Sequence, residues 1–290
     1  MAIPTRTFDR TMQDVGNVLA LEHLNVCVPD QQAATVFYIA GLGFTRDPYV
    51  SVAQDNIWVN IGRQQIHLPT REPQVFRGEI GLVVPDLDAL KRRLDVVGGA
   101  LGETSFAWSV SDGGVEVTGP WGNIFRCVEA SEAFGGMRIG VPYVRLWVPQ
   151  GTAEGIARFY REVMGAPSTL EEGAAGPEAS VQVGTAQTLR FAESAAPTPA
   201  YDGHHVAIYT ANFSGPHAQL QGRGLVTEES NDHQYRFVTI VDPASGEALF
   251  DLEHEVRSVT HPMFMRPLVN RDPGNTLFNY AKGSDALGIG

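Results

Sequence analysis

The sequence predicts an α+β fold made of four βαβββ modules in tandem, paired two by two so that each pair curls a mixed sheet around a cleft. Three observations predict it. A strand-like phrase feeding an amphipathic helix recurs four times, with a period of about 60 residues, and such self-similarity is architecture before it is anything else. Within each opening phrase apolar residues alternate with others, the period of two of a half-buried strand. Glycines mark the helix stops. A length of 290 residues with 43% hydrophobic and 19% charged content suits a globular chain with two sizeable cores.

The first unit runs from about Leu19 to Pro69 and opens on Leu21 to Asp30. Leu24, Val26 and Val28 point one way, and His23, Asn25 and Cys27 the other. Asp30 caps a helix with Ala33, Val36, Phe37 and Ala40 on one face. Gly41-Leu42-Gly43 stops it, and Ser51–Ala53, Ile57–Ile61 and Gln64–Leu68 read as the following strands. The second unit opens at Gly78, where Pro85-Asp86 falls on Pro29-Asp30 and Glu79 falls on His23. Its helix carries Leu87, Leu90, Leu94 and Val97, and its strands are Gly113–Val117 and Ile124–Glu129.

Ser131 to Met137, with Gly135-Gly136 and no periodicity, marks the predicted boundary between domains at 18–131 and 138–256. The third unit opens at Pro142, with Thr152 as the expected cap and Ile156, Phe159, Tyr160 and Val163 as the helix face. Glu171 to Glu178 reads as a loop before strands Ser180–Val183 and Thr188–Ala192. The fourth unit opens at His204-His205 and has the weakest helix, interrupted by Ser214-Gly215-Pro216. Its strands are Tyr235–Val241 and Ala248–Glu253. Residues 1–17 form a polar arm, and 257–290 a C-terminal arm suited to packing on a partner subunit as a homodimer.

Tandem βαβββ units that each begin with a strand-to-helix phrase, with Pro-Asp at the junction in the first two, resemble the vicinal oxygen chelate superfamily. That group holds glyoxalase I, extradiol ring-cleaving dioxygenases, fosfomycin-modifying enzymes and bleomycin-binding proteins. The resemblance covers about residues 18–256 and implies two glyoxalase-like domains. It also implies that each cleft draws metal ligands from the first and last strands of both its units. In the N-terminal pair these places fall on His23, His67, Glu79 and Arg126. Two histidines and a carboxylate form a divalent-metal triad, suited to Fe2+ or Mn2+ ahead of Zn2+ or Ni2+. Arg126 stands where a glutamate ligand is usual, free either to receive an oxygen-rich substrate or to hold Glu79.

In the C-terminal pair the places fall on Tyr143, Arg190, His205 and, with one inserted residue, Asp251, a secondary candidate site. An Arg190–Asp251 ion pair in a structural domain is the plainer reading there. Cys27 lines the N-terminal cleft as a candidate reactive, catalytic thiol or a small buried residue, and Asn25 on the same face is a candidate to bind substrate. Trp58 and Trp147 are cleft walls able to stack on an aromatic ligand.

The resemblance therefore implies a metal-dependent enzyme acting on a small-molecule substrate, as a ring-cleaving oxidoreductase or as a glyoxalase-like isomerase or lyase. The rival class is a metal-free binding protein of the bleomycin-resistance kind. A net charge of -12 opposes nucleic-acid binding. Two cysteines fit a reducing compartment. No apolar run reaches the roughly 20 residues of a membrane helix, nor does Met1 to Asp14 hold a signal-like core, so the expected location is the cytoplasm.

Overall fold

A computed structural model describes residues 10, 13–47, 55–173, 176–266 and 268. The predicted strand Ser51–Ala53 lies outside these residues, as do most of the N-terminal arm and of the 257–290 arm.

Each of the four units shows the order strand, helix, then three strands. Unit one is β1 (Val18–Asn25), α1 (Gln31–Ala34, continued by a π-helical stretch Thr35–Gly41), β2 (Thr45–Arg46), β3 (Asn56–Ile61) and β4 (Gln64–Pro69). Unit two is β5 (Gly78–Val83), α2 (Leu87–Gly98), β6 (Ala107–Ser111), β7 (Gly114–Thr118) and β8 (Ile124–Val128). Unit three is β9 (Tyr143–Pro149), α3 (Ala153–Phe159, continued by π-helical Tyr160–Met164), β10 (Ser168–Gly173), β11 (Gly176–Gly184) and β12 (Gln187–Ser194). Unit four is β13 (His205–Thr210), α4 (Ser214–Gly222), β14 (Val226–Asn231), β15 (Gln234–Val241) and β16 (Ala248–Ser258). No helix among the described residues is long and apolar enough to cross a membrane.

Local chemistry explains the helix starts. Asp30 Oδ1 accepts from the backbone N–H of Gln32 and Ala33, and Asp86 Oδ1 from that of Ala89. Thr152 does not cap α3 as expected. Its hydroxyl donates back to the Pro149 carbonyl, and the Ala153 N–H is taken instead by Glu193. Helix α4 starts at Ser214-Gly215-Pro216, since a proline in the first helical turn removes no intrahelical donor. The described residues of the expected loop, 171–173 and 176–178, belong instead to the paired strands β10 and β11. They hid from the pattern because an exposed edge strand has no apolar face to alternate.

The units assemble differently from their order in the chain. The described strands form two eight-stranded mixed sheets, β14-β15-β16-β13-β1-β4-β3-β2 and β10-β11-β12-β9-β5-β8-β7-β6. Unit one therefore shares its sheet with unit four through the antiparallel β1–β13 pair, and unit two with unit three through β5–β9. The expected clefts, each built from consecutive units, are corrected accordingly. Ser131 to Met137 joins β8 to β9, two strands of the same sheet.

Consecutive units meet instead through their helices. Phe37 of unit one packs on Phe106 and Phe125 of unit two, and Arg93 of α2 donates to the Gly41 and Leu42 carbonyls. Phe159 packs on Phe237 of unit four, and the Tyr160 hydroxyl donates to His254 Nε2 at 2.6 Å. His254 Nδ1 donates to the Leu252 carbonyl, and its ring stacks on Phe237.

Burial pushes His254 down to about 4 from its ordinary 6.5, so it folds as the neutral imidazole. The unfolded chain takes this proton near the ordinary value, whereas the folded chain does not until about 4. The stability from this group is whole above pH 6.5 and is lost as pH falls toward 4. The loss is about 3 kcal/mol. Urea denaturation at pH 7.5 and 4.5 should reveal it as a gap between wild type and His254→Gln that narrows by about that amount in acid.

Candidate metal centre

The middle of the first sheet is the strand run β16-β13-β1-β4, and alternation decides what each strand offers there. Leu24, Ile66 and Val59 are cross-strand neighbours in the core, while His23 with Gln65, and Trp58 with His67, occupy the opposite face. On β13 that face holds His205, Ala207 and Tyr209, and on β16 it holds Asp251, Glu253, Glu255 and Arg257. The register relates the two units. Asn25 lies beside His67 two residues after His23, and Ala207 lies beside Glu255 two residues after His205. His67 and Glu255 thus occupy equivalent places.

Three side chains converge. One ligand atom from each of His23, His205 and Glu255 lies within 4.8 Å of the others. All are buried, at 1%, 7% and 3% exposure. The His23 and His205 rings are 5.8 Å apart, and Trp58 meets His23 edge-on at 4.8 Å. His67 stands alongside, 6.3 Å from His23, stacked on Trp58 and bonded through Nε2 to Asn56 Oδ1 at 2.6 Å.

A register shift in β1 between Leu21 and His23 brings a further carboxylate to this face. Glu22 accepts from His23 Nδ1 at 2.9 Å, from Arg257 at 2.6 Å and from the Tyr209 hydroxyl. Arg257 also pairs with Glu255, and Arg236 bridges Glu255 and Glu253. Burial would raise the Glu22 carboxyl, but Arg257 and His23 outweigh it and hold the group down to about 2. Burial likewise opposes ionisation of Glu255, and Arg257, His23 and Arg236 hold it below the usual range. For the histidines burial and the nearby cations act together. His67 is pushed down to about 2 and His205 well below 6.5, so both carry free lone pairs at neutral pH.

This donor set fits a divalent metal. Two imidazoles and a carboxylate are the ligand types that Fe2+, Mn2+ and Zn2+ share. His205 Nε2 is buried with no hydrogen-bond partner and lies 3.8 Å from Glu255 Oε2, an orphaned ring nitrogen beside a carboxylate.

The sequence matches no family model and no curated protein. The architecture does match solved structures. Glyoxalase I from Zea mays superposes with a TM-score of 0.57 at 14% identity, covering 87% of this chain and 96% of that one. A candidate dioxygenase from Bacillus subtilis subsp. subtilis str. 168 superposes with a TM-score of 0.56 at 15% identity, covering 84% and 86%. The chain has the vicinal oxygen chelate fold.

In this chain the two sheets divide the predicted residues differently from their order in the sequence. His23, His67 and His205 come together, whereas Glu79 and Arg126 belong to the second sheet. Glu79 accepts from the Tyr143 hydroxyl and from Arg145, each at 3.2 Å, and not from Arg126. Arg126 reaches the Asp112 carbonyl. Tyr143 and Arg190 are also on the second sheet, apart from His205 and Asp251, so the expected Arg190–Asp251 pair does not form.

The four ligand places of the second sheet are consequently Glu79, Arg126, Tyr143 and Arg190, with a single carboxylate and no imidazole. Its middle is filled by Tyr143, whose ring lies where a Cβ on Gly81 would come within 2.4 Å, with the Arg190 guanidinium over that ring at 4.4 Å from its centre. Burial and Glu79 push the Tyr143 hydroxyl up to about 12.

On the first sheet Asp251 is displaced from the centre, accepting from Thr239 at 2.9 Å, and Glu255 takes the place assigned to it. Cys27 is buried, and burial pushes its thiol up, away from the reactive thiolate. Asn25 is buried beside Gln74. The described start of the C-terminal arm folds across this same face. Phe264 packs on Tyr209, and Arg266 pairs with Asp47 and reaches Gln65.

Sequence reading missed Glu255 and Glu22. Glu255 had a signal, because the alternation Asp251, Glu253, Glu255, Arg257 continues past the expected strand end at Glu253. Glu22 had none, because strict alternation sends it to the opposite face from His23.

Proposed function

We propose that this chain is a divalent-metal-dependent enzyme of the glyoxalase/dioxygenase type, acting on a small oxygen-rich or aromatic substrate over the first sheet. The observation that carries this reading is the buried convergence of His23, His205 and Glu255 within 4.8 Å. Fe2+ or Mn2+ suits the two-histidine, one-carboxylate set. When bound, such an ion supplies a Lewis acid for a substrate oxygen. The chain's own part is to orient and to exclude water. Trp58 and the stacked His67 form an aromatic wall beside His23, and the segment carrying Phe264 and Arg266 covers the face at Tyr209 and Gln65.

The test is metal content by mass spectrometry on protein purified without oxygen or chelator, followed by turnover assays on catechols and on glyoxalase substrates. About one iron or manganese per chain, with turnover of either substrate class, supports the reading. Ring cleavage of catechols would select the dioxygenase branch, and thioester formation or isomerisation the glyoxalase branch. One observation favours the metal-free binding alternative: both oxygens of Glu255 already face arginines. Protein that carries no metal and takes none up on titration would select it.

A further inference from the structure

We infer that the chain of alternating charges Glu22–Arg257–Glu255–Arg236–Glu253 is a positioning frame that grips both ligand histidines at Nδ1 and turns both Nε2 atoms toward the centre. This rests on the metal reading above, and goes beyond it in assigning a role to four side chains that hold no ligand place.

The geometry is that of one connected ladder. Arg257 bonds Glu22 through Nη1 at 2.6 Å and pairs through Nη2 with Glu255 Oε1. Arg236 bonds Glu255 Oε2 through Nη2 and Glu253 Oε1 through Nη1. The middle member is the carboxylate of the candidate ligand set, and each outer carboxylate meets a histidine of that set. Glu22 lies 2.9 Å from His23 Nδ1, and Glu253 lies 3.4 Å from His205 Nδ1.

An ionised carboxylate only accepts hydrogen bonds, so the nitrogen nearer to one carries the proton: Nδ1 in both rings, since His205 Nε2 is farther from Glu255, at 3.8 Å, than Nδ1 is from Glu253. A carboxylate behind a metal-bound imidazole fixes its tautomer and ring orientation. The two units solve this problem by different routes. Unit one uses the register shift that turns Glu22 to the same face as its neighbour His23, and unit four uses the cross-strand neighbour, since His205 lies beside Glu253. Charge pairing alone would require only that the carboxylates meet arginines. It would not require both ends of the ladder to finish on histidines whose rings lie 5.8 Å apart.

Two measurements on the full chain test this. In metal-free wild type labelled with 15N-histidine, long-range 1H–15N correlation spectra should show His23 and His205 with the proton on Nδ1. A proton on Nε2 of either ring would overturn the inference, and this readout needs no variant to fold.

The second measurement is Co2+ titration, read by visible absorption and by chelator competition, for wild type, Glu22→Gln, Glu253→Gln and the control Glu178→Gln on the other sheet. The first two variants should bind Co2+ about 10–100-fold more weakly with an altered visible band, and the control should match wild type. Wild-type affinity and spectrum in both ladder variants would overturn the frame while leaving the metal centre standing. A wild type that binds no Co2+ would instead overturn the metal reading, and the frame with it.

Discussion

Replacing His205 by alanine should weaken divalent-metal binding by more than about 100-fold, since even partners behind a ligand cost 10–100-fold. Glu79→Gln should leave affinity at the wild-type value. The contrast follows from sheet topology. His205 belongs to β13, hydrogen-bonded directly to the strand that carries His23, whereas Glu79 belongs to the other sheet and is held by Tyr143 and Arg145. Isothermal titration of the three proteins with Mn2+ measures both effects. Equal losses in the two variants would mean that the site is not built from units one and four.

The second large effect concerns stability. Arg257→Met should destabilise the fold by about 3–5 kcal/mol at neutral pH, because it strips Glu22 of its arginine and leaves buried Glu255 with Arg236 alone. The sign of its pH dependence follows from the same pair. With Arg257 present, Glu22 is held at about 2 and stays ionised through mild acid. Without it, burial has one fewer cation opposing it, so the two groups take up protons at higher pH and the penalty shrinks as pH falls. Urea denaturation at pH 7.5 and 5 should therefore give a larger wild-type-to-variant gap at the higher pH. A gap that is constant or grows in acid would mean that the ladder does not hold these carboxylates ionised.

Much of the fold was legible because each repeat is locally complete. The alternation of Leu24, Val26 and Val28 against His23 and Asn25, and the caps at Asp30 and Asp86, are consequences of nearest-neighbour chemistry, and the structure keeps them. The partnership of the repeats is different in kind. Every unit begins with a strand whose outer edge can pair with the first strand of any other unit, and the hydrogen bonds of β1–β13 would be as good in β1–β5. Consecutive units are instead packed through contacts such as Phe37 against Phe125, and such contacts leave no periodic mark in the sequence.

The candidate site inherits that division. His23, His67 and His205 were legible as cleft residues because their strands alternate. Their grouping was not, because grouping depends on which units share a sheet. Glu79 landed on the equivalent of His23 correctly, but in the cleft that lacks imidazoles, where Tyr143 over Gly81 fills the middle. Asp251 was four residues short of Glu255 along a strand that runs to Ser258. Glu22 required a shift in strand register that no residue type announces.

The most direct test of the central claim is anomalous X-ray diffraction from crystals of this chain soaked in Mn2+. A single strong anomalous peak bounded by His23, His205 and Glu255 is the expected result. A peak beside Glu79 and Arg126, or no protein-bound peak at all, would contradict a metal centre assembled from the first and fourth units.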